Sequence, residues 1–372
     1  MNKKLAVVGK GTAGVLTFNH FNFYTDYEVV CYYDSNTKEQ SVGEGSQLPL
    51  PIELNETLGL EFHDVQDLFD STYKKAIKYE GFGKSDYYHT FDMPSLSIHL
   101  NATKLQKYIH NKFEKQFVEK RITTHDDIDA DYIIDCSGKP KNFSEHHIAS
   151  YIPVDSAVIK QCYVTKPFDY TLTLARPYGW VFAIPLQNRV SFGYLFKESI
   201  NTKKEIEDDL NNVLKELGYT SFTDAKHIKF DNYYKKQNYT NRVFYNGNAS
   251  FFLEPMEATS LTTVDRINRN IFDILSYNIP VDTYNDSYID WFKQCQDVIT
   301  LHYLGKPRYD TKFWNYAHSL AKDCWANISN SLKDILYNLD NPNYEMLDVY
   351  GTWYQSGFKQ NMKGLGINYV KS

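Results

Sequence analysis

Several of the usual pointers to a protein's class are scarce in this chain of 372 residues. Cysteine is sparse: Cys31, Cys136, Cys162, Cys295 and Cys324 stand far apart, odd in number and with no C-x-x-C pair. That pattern speaks against a disulfide framework or structural zinc and fits a reducing, cytoplasmic setting. His146-His147 has no partner at ligand spacing, so it reads as surface and no metal is expected. No apolar run reaches about 18 residues, so no membrane-spanning helix is expected. The apolar run in "MNKKLAVVGKG" is too short for a secretory signal. Charge is not piled on one sign, and a net charge of -6 leaves no nucleic-acid footprint. No repeat or low-complexity linker divides the chain.

What is abundant is aromatic: 31 Tyr and 23 Phe, a supply that suits amphipathic surfaces and aromatic-lined clefts. Leu5–Val8 reads as a buried parallel strand running into glycines, with a helix from about Ala13. "YEVVCYYD" (27–34) and "ADYIIDCSG" (130–138) read as further strands. "TKLQKYIHNKFEKQF" (103–117) has helical spacing. The stretch from Tyr170 to Phe196 alternates like an antiparallel meander, with a tight turn at Gln187-Asn188. "KKEIEDDLNNVLKELGY" (203–219) reads as an amphipathic helix stopped by Gly218. Beyond Val264 the chain reads as mostly helical.

"VVGKGTAG" (7–14) fits G-x-G-x-x-G between a strand and a helix. Gly9 permits the tight turn, Gly11 lets the backbone approach a pyrophosphate, and Gly14 lets helix and strand pack closely. Thr12 and Ala13 open a helix whose N-terminus faces the anion. Asp34, 20 residues past Gly14, ends the second strand where a carboxylate can hold a ribose hydroxyl. Two later glycine-bearing strand ends, "DCSGKP" (135–140) and "NGNASFFLEP" (246–255), favour a flavin over a nicotinamide cofactor.

"GWVFAIP" (179–185) puts Trp180 and Phe182 on one face of a strand, since residues two apart share a face. Taken alone, such a pair reads as core.

With its neighbours, it carries a resemblance. "GKGTAG", "SVGEGSQLP" (41–49), "STYKKAIKY" (71–79), "GWVFAIP", "RVSFGYLF" (189–196), "FFLEPMEATS" (251–260) and "LHYLGKPRYDTKFW" (301–314) follow the motif order of the flavin-dependent tryptophan halogenases. The chain resembles a short, C-terminally reduced member. The resemblance implies an α/β (α+β) fold: an FAD-binding Rossmann-like module of the flavin monooxygenase type, an inserted antiparallel sheet and a C-terminal helical region. The expected single interleaved flavoprotein (1–372) has its FAD module near 1–50, 100–160 and 240–280. Its substrate-side sheet is expected near 51–99 and 161–239, with helices over 281–372.

The resemblance also implies roles. Besides the fingerprint and Asp34, FAD would be held by Gly43, Glu44, Gly45 and Ser46 in a strap, by Ser137 and Gly138, and by Gly247 and Pro255. Reduced FAD (FADH2) from a separate flavin reductase, with O2 and halide, would yield hypohalous acid. Lys74, aligned with the lysine of T-F-K, would hold and activate that acid by hydrogen bond or as a haloamine. Glu257 would orient the acid and take the proton from the halogenated ring. Backbone N–H groups of Thr259 and Ser260 would cradle chloride, bromide or iodide. Trp180, Phe182, Ile184 and Pro185 would separate flavin from an electron-rich aromatic substrate such as an indole, phenol or aniline. His89 falls where relatives line the substrate pocket. His302, Tyr303, Arg308, Asp310 and Trp314 read as packing that fixes the helical part to the flavin module.

Three departures stand out. Asn248 replaces a common Asp, Ala258 a common Ser, and the C-terminal indole-clamping residues have no counterpart. The expected pocket is therefore open, or completed by another subunit in a homo-oligomer. A flavin-dependent aromatic hydroxylase and a non-catalytic FAD-binding protein are the competing readings.

Overall fold

The computed structural model describes residues 3–37, 44–46, 49–91, 97–164, 166–341 and 352–368. The chain divides into two compact units, each built from three segments. The first comprises Met1–Ser71, Leu96–Ile148 and Tyr233–Asp290; the second comprises Thr72–Ser95, Ala149–Asn232 and Trp291–Ser372.

The first unit is organised by a five-stranded sheet in the order Val243–Tyr245, Tyr132–Asp135, Lys4–Val8, Glu28–Tyr33, Phe117–Glu119. Every pairing in it is parallel. A parallel sheet is covered on both faces, which is why Leu5, Ala6, Val7 and Val8 are all apolar and all buried. The helix Thr12–Tyr24 buries Val15, Leu16, Phe18 and Phe21. The expected helix over 103–117 is shorter, Ala102–Lys112, capped by the Asn101 side chain accepting from the Lys104 N–H at 3.2 Å. Its tail turns into the edge strand because Phe117 pairs in register with Cys31 and packs on Phe18, ring centroids 4.8 Å apart. A small sheet joins Phe251–Phe252, Tyr233–Lys235 and His146–Ile148. Here the surface reading of the histidine pair needs correction: His147 is exposed, but His146 turns inward, edge-on to Tyr233.

The second unit centres on a seven-stranded sheet ordered Lys226–Lys229, Ser156–Tyr163, Arg189–Phe196, Gly179–Pro185, Thr171–Arg176, Ala76–Glu80, Tyr87–Thr90. All neighbours are antiparallel except Thr171–Arg176 with Ala76–Glu80. The Leu186 N–H donates to the Arg189 carbonyl at 2.7 Å across Gln187-Asn188, the tight turn expected there. One face of the sheet presents Val181, Ala183, Val190, Phe192 and Tyr194 to the same core as Ile206, Leu210, Val213 and Leu214 of the helix Lys203–Glu216. That helix starts in a capping box between Thr202 and Glu205, an S/T-x-x-E signature visible in the sequence. The opposite face carries Trp180, Phe182 and Ile184. The C-terminal part adds the helices Lys312–Trp325, Asn330–Tyr337 and Gln355–Leu365. No helix among the described residues is long and apolar enough to cross a membrane.

Candidate active site

In the first unit, three turns at the carboxyl ends of parallel strands come together. Gly9 adopts φ 103°, and its N–H donates to the Tyr32 carbonyl at 2.7 Å. A Cβ on Gly14 would overlap the Gly9 carbonyl oxygen, so the close helix–strand approach read from the fingerprint is real. Gly247 packs on Ala13, where its own Cβ would come within 2.5 Å of the Ala13 Cβ. The Ser137 N–H donates to Asp135 at 2.8 Å, and Gly138 takes φ 110°.

Nothing lies within 4 Å of where a Cβ would stand on Gly11 or Gly138. Gly11 caps the helix Thr12–Tyr24 with no side-chain bond, and no acid occupies the first turn. The turns thus leave an open, dipole-favoured place for an anion. Asp34 accepts from the Asn36 N–H at 2.9 Å and from its amide at 3.0 Å. Those bonds hold its carboxyl below the usual range, as an acceptor for a ribose hydroxyl requires.

Four residues beside the fingerprint escaped the sequence reading. Lys10, Gln106, Lys107 and His110 line a cavity of about 180 Å³. Gln106 Nε2 donates to the Thr12 hydroxyl at 2.8 Å, while its Oε1 is buried without a hydrogen-bond partner. Lys10 Nζ sits 4.1 Å from the Tyr33 ring centroid. Lys10 lies inside the motif; the other three come from the helix Ala102–Lys112, and only the tertiary fold brings them there. A basic cavity beside an open glycine turn fits a dinucleotide's phosphates, so the residues present suit FAD.

Of the strap, Gly43 lies outside the described residues. Glu44 and Ser46 bridge to the segment Ile98–Leu100: the Ser46 N–H donates to Ile98 and the Leu100 N–H to Glu44, each at 2.8 Å. A Cβ on Gly45 would stand 3.9 Å from the Ala258 Cβ, so the strap runs beside the Glu257 turn. In that turn Glu257 (φ 63°) and Ala258 (φ 54°) are both left-handed. Such a conformation costs a non-glycine residue about 1–2 kcal/mol. The Ala258 N–H returns to the Pro255 carbonyl at 2.9 Å. The helix Thr259–Tyr277 then starts with neither a side-chain cap nor an acid in its first turn. Successive left- and right-handed residues point their N–H groups into one concavity, an anion-binding geometry. Glu257 is only 3% exposed.

In the second unit, the three lysines of "KKAIK" separate sharply. Lys75 is exposed and pairs with Asp169 at 2.6 Å; Lys78 pairs with Glu80 at 2.6 Å. Lys74 is 0% exposed, on the strand Thr72–Lys74, with Nζ 5.2 Å from the Phe91 ring centroid. The Thr72 hydroxyl donates to the Pro185 carbonyl at 2.7 Å, which ties the Lys74 strand to the end of "GWVFAIP". His89 is buried, its ring centroid 5.8 Å from that of Phe91. Lys74 and His89 therefore both neighbour Phe91.

Trp180 is buried and its indole N–H donates to the Tyr303 hydroxyl at 2.8 Å. Phe182 and Ile184 are half-buried, and Pro185 closes the strand. His302 stacks on Tyr79, centroids 4.5 Å apart, and the Trp314 indole donates to the Arg176 carbonyl at 2.8 Å. These partners all belong to the second unit. The helical part is thus fixed to the seven-stranded sheet, where the sequence reading had it fixed to the flavin module. Among the described residues no three metal-ligating side chains converge.

The model of the tryptophan halogenase family matches residues 102–367. Tryptophan 6-halogenase SttH of Streptomyces toxytricini is 26% identical over 213 residues, 51% of this chain and 39% of that protein. 7-chloro-L-tryptophan 6-halogenase KtzR of Kutzneria is 24% identical over 221 residues, 54% of this chain and 42% of that protein. The chain spans about two fifths of the length of these curated relatives. A flavin-dependent halogenase from Xanthomonas campestris superposes with a TM-score of 0.82 at 19% identity, covering 99% of this chain and 89% of that one. The SttH structure gives 0.77 at 17% identity, covering 98% and 90%. The fold is that of these enzymes, with the Rossmann-like FAD-binding module expected from the sequence.

Proposed function

From the premise that this chain belongs to the tryptophan halogenase family, we propose that it is an FADH2-dependent halogenase of electron-rich aromatic compounds. Bound reduced FAD supplies the two-electron chemistry: FADH2, O2, halide and a proton become FAD, hypohalous acid and water. The acid then exchanges its halogen for a ring proton, giving aryl halide and water.

The protein's own part lies in its placed groups. The open turns at Gly9–Gly14, Ser137-Gly138 and Gly247 take the pyrophosphate, and Asp34 takes the ribose. N–H groups of Thr259 and Ser260 hold the halide, because backbone donors at a helix start cannot be titrated away. Lys74 presents a compact N–H donor to the oxygen of hypohalous acid, which makes the halogen more electrophilic. Glu257 accepts the proton leaving the ring. Phe182 and Ile184, backed by Trp180 and Pro185, keep the organic substrate off the flavin. His89 lines the substrate side. A separate flavin reductase delivers the reduced cofactor.

The observation that carries this reading is that Lys74, of the three lysines of "KKAIK", is the fully buried one, beside Phe91. An ammonium is withdrawn from water at a cost of several kcal/mol, which a merely solubilising lysine has no reason to bear. The test supplies FAD, a flavin reductase, NADH and bromide with an activated indole or phenol. A product heavier by one bromine in place of hydrogen supports the reading. A product heavier by one oxygen overturns it in favour of a hydroxylase.

A further inference from the structure

The strand Gly179–Pro185 lies between Thr171–Arg176 and Arg189–Phe196, and its register sets Phe182 beside Thr173 on one side and Gly193 on the other. Cross-strand partners share a face. Along that face of Arg189–Phe196 the side chains are Ser191, none at Gly193, and Leu195.

Gly193 does not need to be glycine for its backbone, since it is not among the glycines of positive φ. It needs to be glycine for space. A Cβ there would overlap Cζ and Cε1 of Phe182 and come within 2.9 Å of Cδ1 of Ile159 on the next strand. The Phe182 ring therefore lies down across the bare Cα of Gly193 and does not stand out from the sheet. Trp180, two residues earlier, faces Leu195 instead and is anchored by its bond to Tyr303. Of the two rings, Trp180 is held by a hydrogen bond and Phe182 is positioned by a vacancy beneath it.

We propose that Gly193 is a positioning residue that sets the lie of Phe182 and, through it, how large an oxidant passes the aromatic partition. The inference rests on the partition role given to Phe182 above. Lying on the sheet, the ring takes up less of the space over this face than it would if raised. An added methyl lifts the ring by the radius of a methyl group and narrows that space. Passage then falls more for the larger hypobromous acid than for hypochlorous acid.

The experiment compares wild type, Gly193→Ala, Phe182→Ala and the double variant, each with FAD, a flavin reductase and NADH, with chloride or bromide. Halogenated aromatic is measured against hypohalous acid released to solvent and trapped by a thioether scavenger. Gly193→Ala is expected to lower the product-to-release ratio roughly tenfold with bromide and less with chloride, within the loss of up to about 10²-fold that a small misplacement can cause. In the Phe182→Ala background, where no ring is left to lift, Gly193→Ala is expected to change neither ratio. FAD affinity is expected to stay constant throughout. The double variant removes the overlap with the Phe182 ring and leaves only the close contact with the tip of Ile159, so it is expected to fold even where the single variant does not. A Gly193→Ala loss that is equal for both halides, or that persists without Phe182, overturns the inference in favour of a packing defect. An unchanged ratio in Gly193→Ala overturns it outright. If the proposed function is what fails, the wild type itself makes no halogenated product.

Discussion

The two units differ in how their chemistry is encoded. The first holds its cofactor cradle in turns whose residues are adjacent in sequence. Gly9, Gly11 and Gly14 act through backbone shape, and each has a different spatial reason visible in the structure. The second holds most of the side chains proposed for the reactive side, Lys74, His89 and Phe182, on separate strands, while Glu257 lies in the first. Those three can be named from motifs, but they acquire their surroundings only through sheet register. Backbone turns show their geometry in the motif itself; reactive side chains can be named from a motif, but what surrounds them needs the fold.

Substitutions can break this contrast. The largest expected effect is Lys74→Ala: halogenation falls by at least about 10²–10⁴-fold. FAD affinity by fluorescence titration is expected to be unchanged, because Lys74 is given no part in the turns proposed to hold the cofactor. Next is Gly14→Ala, whose Cβ would overlap the Gly9 carbonyl. It is expected to cost about 1–3 kcal/mol in denaturant unfolding and to weaken FAD together with stability. Gly11→Val sharpens the comparison. With open space at Gly11, it is expected to leave the melting temperature of the FAD-free protein nearly unchanged while lowering FAD affinity. Trp180→Phe deletes the indole N–H donated to the buried Tyr303 hydroxyl and is expected to cost about 0.5–1.5 kcal/mol in denaturant unfolding, the net worth of one hydrogen bond. The smallest effect is expected from Ala258→Gly. It relieves a left-handed alanine (φ 54°) and should raise stability by up to about 1 kcal/mol, measured as a melting shift of a few degrees.

Much of the frame was legible. The parallel strands, the helix after the glycine turn, the hairpin at Gln187-Asn188 and the capped helix from Lys203 follow from periodicity and turn chemistry. The segment 103–117 misled because Phe113 and Phe117 keep helical spacing, yet Phe117 gains more by pairing with Cys31 and packing on Phe18. The histidine pair misled because adjacent residues of a short strand point to opposite sides, so one polar residue of two had to face inward. The basic cavity beside Lys10 was hidden for another reason. Gln106, Lys107 and His110 look like an ordinary polar helix face until that helix is set against the fingerprint. Nothing local marks Gly193 either, because its partner Phe182 is reached only through strand register. Glu257 could be named from its motif, but its left-handed backbone could not, since no glycine announces it.

None of the five cysteines is in a disulfide, and all five are buried. Burial pushes Cys31 and Cys136 up, Cys162 to about 11 and Cys324 to about 12, so each sulfur stays protonated near neutrality. Thiolate is the form that reacts fastest with electrophiles. Under the function proposed above, a thiol-destroying reagent that strays into solvent meets these four thiols both sheathed and chemically quiet.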